Sequence, residues 1–215
     1  MTDTIAADKK DFITILTSIQ RKGADIDKLL SKLEHSDFYA APASAKFHNS
    51  MEGGLLAHSL NVFYNLMHLV KYKYPDVENC PISEDSIKIV ALLHDISKMN
   101  LYEKTFSNKK IYCEDGDKID ENGKFKWVSV QGYSVKSSND RFIFGSHENT
   151  SEYMVRQFIP LTVEESVAIN HHMGGTSWDS AKDNIAEIYN HYPLATLLHI
   201  ADCLATYVDE KDTIQ

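Results

Sequence analysis

His94 and Asp95 stand side by side in an apolar run, Ala91-Leu92-Leu93-His94-Asp95-Ile96, that ends at Ser97-Lys98. An ionised carboxylate held away from water needs a cationic partner, and a divalent metal ion is the obvious candidate. One such pair alone is more often a hydrogen-bonded core pair than a metal site. Here it has company: His58, His147, His171, His172 and Asp202 are spread along the chain. Mixed imidazole and carboxylate ligands suit manganese, iron, zinc, nickel or cobalt, with no thiolate bias.

Such a set does chemistry only if separate elements aim it at one point. Ile87, Val90, Ala91 and His94 fall at i, i+3, i+4 and i+7, which predicts a helix with His94 on its buried stripe. Ser83 caps that helix and Glu84-Asp85 supply an acidic first turn. Gly53-Gly54 permits a sharp entry into a helix running to about Lys71, with Leu55, His58, Val62, Leu66 and Leu69 on one face. Gly145-Ser146-His147-Glu148 precedes another helix. Thr162 and Glu165 form a capping-box pattern for the next, which ends at His171-His172-Met173-Gly174-Gly175. Tyr192-Pro193 opens the last long helix, with Asp202 beside the stripe of Leu194, Leu198, Ala201 and Ala205. Nearer the N-terminus, residues 9–21 and a second segment carrying Ile26, Leu29, Leu30 and Leu33 read as short packing helices. Between Leu101 and Gly145 the pattern changes. Strands are expected at Lys110–Cys113 and Lys124–Val130, extended by Tyr133–Val135 and Phe142–Phe144, with acidic turns between them. The expected fold class is all-α, a helical bundle with a small β-hairpin insertion at about 108–144 near the mouth of the metal pocket. Residues 1–37 would form a helical extension to a domain spanning 38–215.

Composition narrows the function classes. With 215 residues and 43% hydrophobic content, one domain with a real core is expected. No apolar run approaches a membrane span, and Met1-Thr2-Asp3-Thr4 carries no secretory pattern. Three separated cysteines suit a reducing cytoplasm and suggest neither a disulfide framework nor a thiolate zinc site. A formal charge of −9 argues against a broad nucleic-acid surface and favours small anionic substrates drawn to bound cations.

The order His58 … His94-Asp95 … Asp202 resembles the H…HD…D signature of the HD-domain superfamily of metal-dependent phosphohydrolases. His147 and His171-His172 resemble the additional ligands of its dinuclear members, H…HD…H…H…D. The resemblance spans roughly residues 38–210. It includes Leu92-Leu93-His94-Asp95-Ile96-Ser97-Lys98, similar to an LLHD-x-x-K element, and Gly53-Gly54-Leu55-Leu56-Ala57-His58, similar to GGL-x-x-H. With Pro42-Ala43 and His48 before it, that second element is also similar to the HD domain of certain bacterial 3′→5′ exoribonucleases. No accompanying OB-type module is visible.

The resemblance implies an HD-domain helical bundle and two divalent cations (Mn, Fe, Ni, Co, Zn or Mg), about 3.5–4 Å apart in such sites. His58, His94, Asp95 and Asp202 would hold one, with Asp95 bridging to a second held by His147 and His172. Asp95 and Lys98 would be catalytic, with Lys98, His48 and His171 meeting substrate and Glu148 supporting a ligand. The implied activity is hydrolysis of a phosphomonoester or phosphodiester of a nucleotide or short oligonucleotide in the cytoplasm. Extended nucleic acid and membrane are not expected partners. The same six ligands also occur in HD-type mixed-valent di-iron oxygenases, the alternative reading.

Overall fold

A computed structural model describes residues 3–176 and 184–211. The first helix, α1 (Asp3–Thr17), starts before the expected Lys9 and turns Phe12 and Leu16 fully inward. The Asp25 side chain accepts from Lys28 N to start α2 (Ile26–Glu34), which buries Leu29 and Leu33. Gly53 then adopts φ +80°, and a Cβ on Gly54 would collide with the Asn49 carbonyl oxygen. Only glycine allows that approach, which seats the start of α3 (Gly54–Lys73) against the preceding loop.

α3 is the central helix. It packs against α1, against α4 (Glu84–Leu93) and against α8 (Pro193–Leu204). Behind α4 lies α6 (Val163–Asn170), which also meets α8 and α5 (His147–Arg156); α5 packs on the Ile96–Lys98 turn as well, and the short α7 (Ile185–His191) runs alongside α8. Leu55, Leu56, Leu66, Ile89, Leu92, Leu93, Ile96 and Leu198 are fully buried in a single core that also takes in Phe12 and Phe38. Each such side chain contributes about 1.5–3 kcal/mol by leaving water. The capping box at Thr162 and Glu165 forms as the sequence pattern suggests, starting α6.

The all-α expectation is overturned. The protein is helix-rich and mixed, with a three-stranded antiparallel sheet in the order β1-β3-β2. The strands are β1 (Tyr102–Tyr112), β2 (Lys118–Asp120) and β3 (Gly123–Val135). β1 and β3 pair without a break from Tyr102↔Val135 to Tyr112↔Phe125, which makes a ribbon far longer than the expected hairpin. The expected start near 108 is late because Glu103-Lys104-Thr105-Phe106-Ser107-Asn108 is mostly exposed, so little apolar alternation marks it. Phe142-Ile143-Phe144 lies in the loop between β3 and α5, and there the phenyl rings stack instead of joining the sheet. The base of the ribbon is tied beside the Asp95 segment, where Lys136 N donates to Leu101 O at 2.9 Å.

Candidate metal centre

Five helices or their ends deliver the site. His58 sits in the second turn of α3, fully buried. His94 caps the C-terminus of α4, and the backbone then tightens into a 3-10 turn, Ile96–Lys98, that takes Asp95 off the helical stripe. Ser146 caps α5, so His147 is that helix's first residue. His172 follows the end of α6, and Asp202 projects from α8.

The four histidines converge on Asp95, whose two oxygens face different partners. Oδ2 lies 3.7 Å from His58 Nε2 and 3.4 Å from His94 Nε2. Oδ1 lies 3.7 Å from His147 Nε2 and 3.6 Å from His172 Nε2. Asp202 Oδ1 adds a second carboxylate 3.2 Å from His58 Nε2. Ligand atoms about 2.1 Å from a tetrahedral ion lie about 3.4 Å from each other. The observed spacings are close to that value, so these buried groups could hold a metal ion. Within each of the sets His58-His94-Asp95 and Asp95-His147-His172, the donor atoms lie within 4.8 Å of one another.

The opposite ring nitrogens settle which face of each imidazole is offered. His94 Nδ1 donates to Ala91 O at 2.9 Å and His172 Nδ1 to Ile169 O at 2.7 Å. A carbonyl only accepts, so both rings carry a proton on Nδ1, and the neutral form of each points a lone pair from Nε2 into the site. His58 Nδ1 donates to the Glu210 carboxylate at 3.1 Å, and His147 Nδ1 lies 3.1 Å from Glu148 Oε2. All four Nε2 atoms, and Asp95 Oδ1, are buried without a hydrogen bond among the described residues. Five orphaned polar atoms facing one another are costly unless a proton or a metal cation satisfies them. The residues present therefore fit bound metal.

Electrostatics point the same way. Burial works against a charge on His58, yet Asp202 and Glu210 outweigh it and raise its pKa to about 10, so the pocket favours positive charge at this ring. Burial lowers His94, while Asp95 pulls against it. Burial likewise brings His147 down to about 4. On Asp95 itself burial is overcome by Lys98 and His94, which hold the carboxyl well below its usual range.

A cavity of about 570 Å³ opens onto Asp95, Lys98, His147 and Asp202. Lys98 Nζ donates to Asp95 Oδ2 at 2.6 Å. His48 also lines the cavity, its ring 4.9 Å from that of His58, and burial together with His58 and Lys98 lowers its pKa to about 4. His171 is placed differently. It gives its Nδ1 to Val167 O at 2.9 Å and is not among the residues lining this cavity, so the expected substrate contact does not appear there. His172 is the one of the pair that faces Asp95.

Glu210 was not anticipated from the sequence. It is reached through a wide π-type turn, Ala205–Asp209, that carries a nominally polar tail back under His58. Phe47, Tyr102 and Tyr207 in the cavity wall were also missed; their nearness in sequence to His48, Lys98 and Asp202 was the available signal. His199 lines the same cavity and gives Nδ1 to His172 O at 2.7 Å, which steadies the segment bearing that ligand. Among the described residues no helix is long and apolar enough to cross a membrane. No family model, no curated protein and no solved structure matches this chain.

Proposed function

We propose that the protein is a metal-dependent phosphohydrolase of the HD type, acting on a nucleotide or short oligonucleotide. The observation that carries this reading is the division of Asp95, with Oδ2 toward His58 and His94 and Oδ1 toward His147 and His172. His58, His94, Asp95 and Asp202 would hold one divalent ion, and Asp95, His147 and His172 the other. When bound, such ions act as Lewis acids that make a water more acidic and offset charge on phosphoryl oxygens.

The chain's own groups supply the rest. Glu210 and the Ala91 and Ile169 carbonyls hold the imidazoles in the ligating tautomer. Lys98 stays protonated, because Asp95 outweighs the burial that would lower its pKa. It lines the cavity beside the metal ligands, where its charge complements a transferring phosphoryl group. His48 is neutral near pH 7 and has an unbonded Nε2, so it offers a hydrogen bond to a substrate oxygen. Phe47 and Tyr207 line the cavity with 69% and 70% of their surface exposed. Aromatic faces beside a phosphate site suit the stacking of a base.

The test is hydrolysis without dioxygen. Chelator-stripped protein reloaded with Mn²⁺, Mg²⁺ or Zn²⁺ should release phosphate from, or cleave, at least one of a panel of mononucleotides, cyclic nucleotides, dinucleotides and short oligonucleotides. Strict dependence on iron and dioxygen, with no phosphoester turned over, would replace this reading with the di-iron oxygenase.

A further inference from the structure

A second cavity, of about 540 Å³, lies on the other side of the segment that carries the metal ligands. Along that segment the residues divide. Asp95, Lys98 and Tyr102 face the metal pocket, whereas Ser97, Met99, Asn100 and Leu101 face the second cavity, and the two linings share no residue. Its size falls in the range of small-molecule sites, about 300–1,000 Å³.

Two features of its wall define an occupant. The first is an aromatic face. Phe142, Phe144 and Tyr153 form a near-parallel stack, with Phe144 and Tyr153 centroids 4.3 Å apart at 21° and Phe142 lying 14° from the plane of Tyr153. Phe142 and Tyr153 line the cavity while 53% and 40% exposed, and Phe144 in the same stack is exposed as well. Stacked rings exposed side by side present a flat apolar face on which a planar ligand can stack. The second feature is positive charge. Lys32 and Arg141 line the cavity, and neither forms an ion pair with a described residue. Lys28, one turn before Lys32 on α2, places its ammonium 5.9 Å from the ring centroid of Phe158 in the same wall. Asp140 is the one carboxylate in the lining, and it accepts from Ser137 Oγ at 2.5 Å.

We propose that this cavity is a second ligand site, separate from the metal centre, for a planar aromatic anion of the nucleoside monophosphate class. The base stacks on Tyr153 and Phe142, and the phosphate meets Arg141 and Lys32. Arg supplies a planar, bidentate match to phosphate, and Lys a mobile point charge.

The site is independent of catalysis, so it is tested by binding alone. Calorimetric titration with adenosine 5′-monophosphate, in excess chelator to keep the metal centre out of play, should show one binding event. Arg141→Gln and Tyr153→Leu, both at exposed positions that leave the core intact, should each weaken it by about tenfold or more. Lys98→Met and Phe47→Ala, which alter only the metal pocket, should leave it unchanged. Adenosine and inorganic phosphate, offered singly, should each bind far more weakly than the nucleotide. The proposal is overturned by no binding, by binding lost in Lys98→Met or Phe47→Ala and kept in Arg141→Gln, or by adenosine binding as tightly as its monophosphate. Because no turnover is measured, a failure here is distinguishable from a failure of the hydrolase reading.

Discussion

Lys98 Nζ and Asp95 Oδ2 are 2.6 Å apart, and that oxygen is the one turned toward His58 and His94. The ammonium and a divalent ion would therefore share one acceptor. Lys98→Met should leave Mn²⁺ affinity intact or raise it, while turnover falls about 10–100-fold for loss of a charge beside the phosphoryl group. Titration calorimetry and steady-state rates on the same preparation separate the two effects. Loss of both together would make Lys98 a structural prop of Asp95.

Glu210 holds His58 through Nδ1 while Asp202 approaches Nε2 on the far side of the ring. Glu210→Gln keeps the volume and removes the charge. Metal affinity should drop about 10–100-fold, the usual cost of losing a ligand's supporting carboxylate, with little change in thermal stability. Competition against a chelator of known affinity measures this; an unchanged affinity would remove Glu210 from the site.

His147 and His172 approach Asp95 at Oδ1, 3.7 and 3.6 Å from their Nε2 atoms. His147→Ala and His172→Ala should each reduce the metal content from two ions per chain toward one, as read by elemental analysis. Saturation of the wild type at a single ion would replace the dinuclear site with a mononuclear one. His171→Ala should keep both ions, since that side chain is tied to Val167.

Away from the site, Glu165 is fully buried and pairs with both terminal nitrogens of Arg21, at 2.9 and 2.5 Å, while accepting from Thr162 N. Burial would raise its pKa, but Arg21 and Thr162 prevail and hold it below the usual 4.5. A depressed carboxyl contributes stability that is complete above its unfolded value and lost as pH falls through the folded one. Glu165→Gln should therefore destabilise the protein at pH 7 by about 1–3 kcal/mol. The gap in melting temperature between wild type and variant should narrow below about pH 4.5. A gap that stays constant into acid would show that the Arg21 pair contributes nothing through charge.

Much of the site was legible because ligands on helices obey helical spacing. His58 and His94 extend apolar stripes, and the buried positions of both follow from that. The choice between His171 and His172 was harder. α6 stops at Asn170, and His171 takes φ −123°, so the helical quarter-turn between neighbours no longer says where either ring points. Glu210 was illegible for a similar reason: a π-type turn changes the angular step per residue, and no residue type announces it. The ribbon was underestimated because much of β1 lies in solvent on both faces, and period-2 alternation arises only where one face is buried. Chemistry at the end of an element is set by backbone geometry that hydrophobic patterning does not encode.

The account stands or falls on Asp95, and the metal content of Asp95→Ala tests it most directly. Wild-type protein purified without dioxygen should carry two divalent ions per chain. The variant should carry almost none and hydrolyse no nucleotide, while its circular dichroism and cooperative melting show the fold intact, since His94 and His147 are held neutral by burial and His58 keeps Asp202 and Glu210 as partners. Full metal content and undiminished turnover in a folded Asp95→Ala protein would contradict the bridged centre, and with it the proposed chemistry.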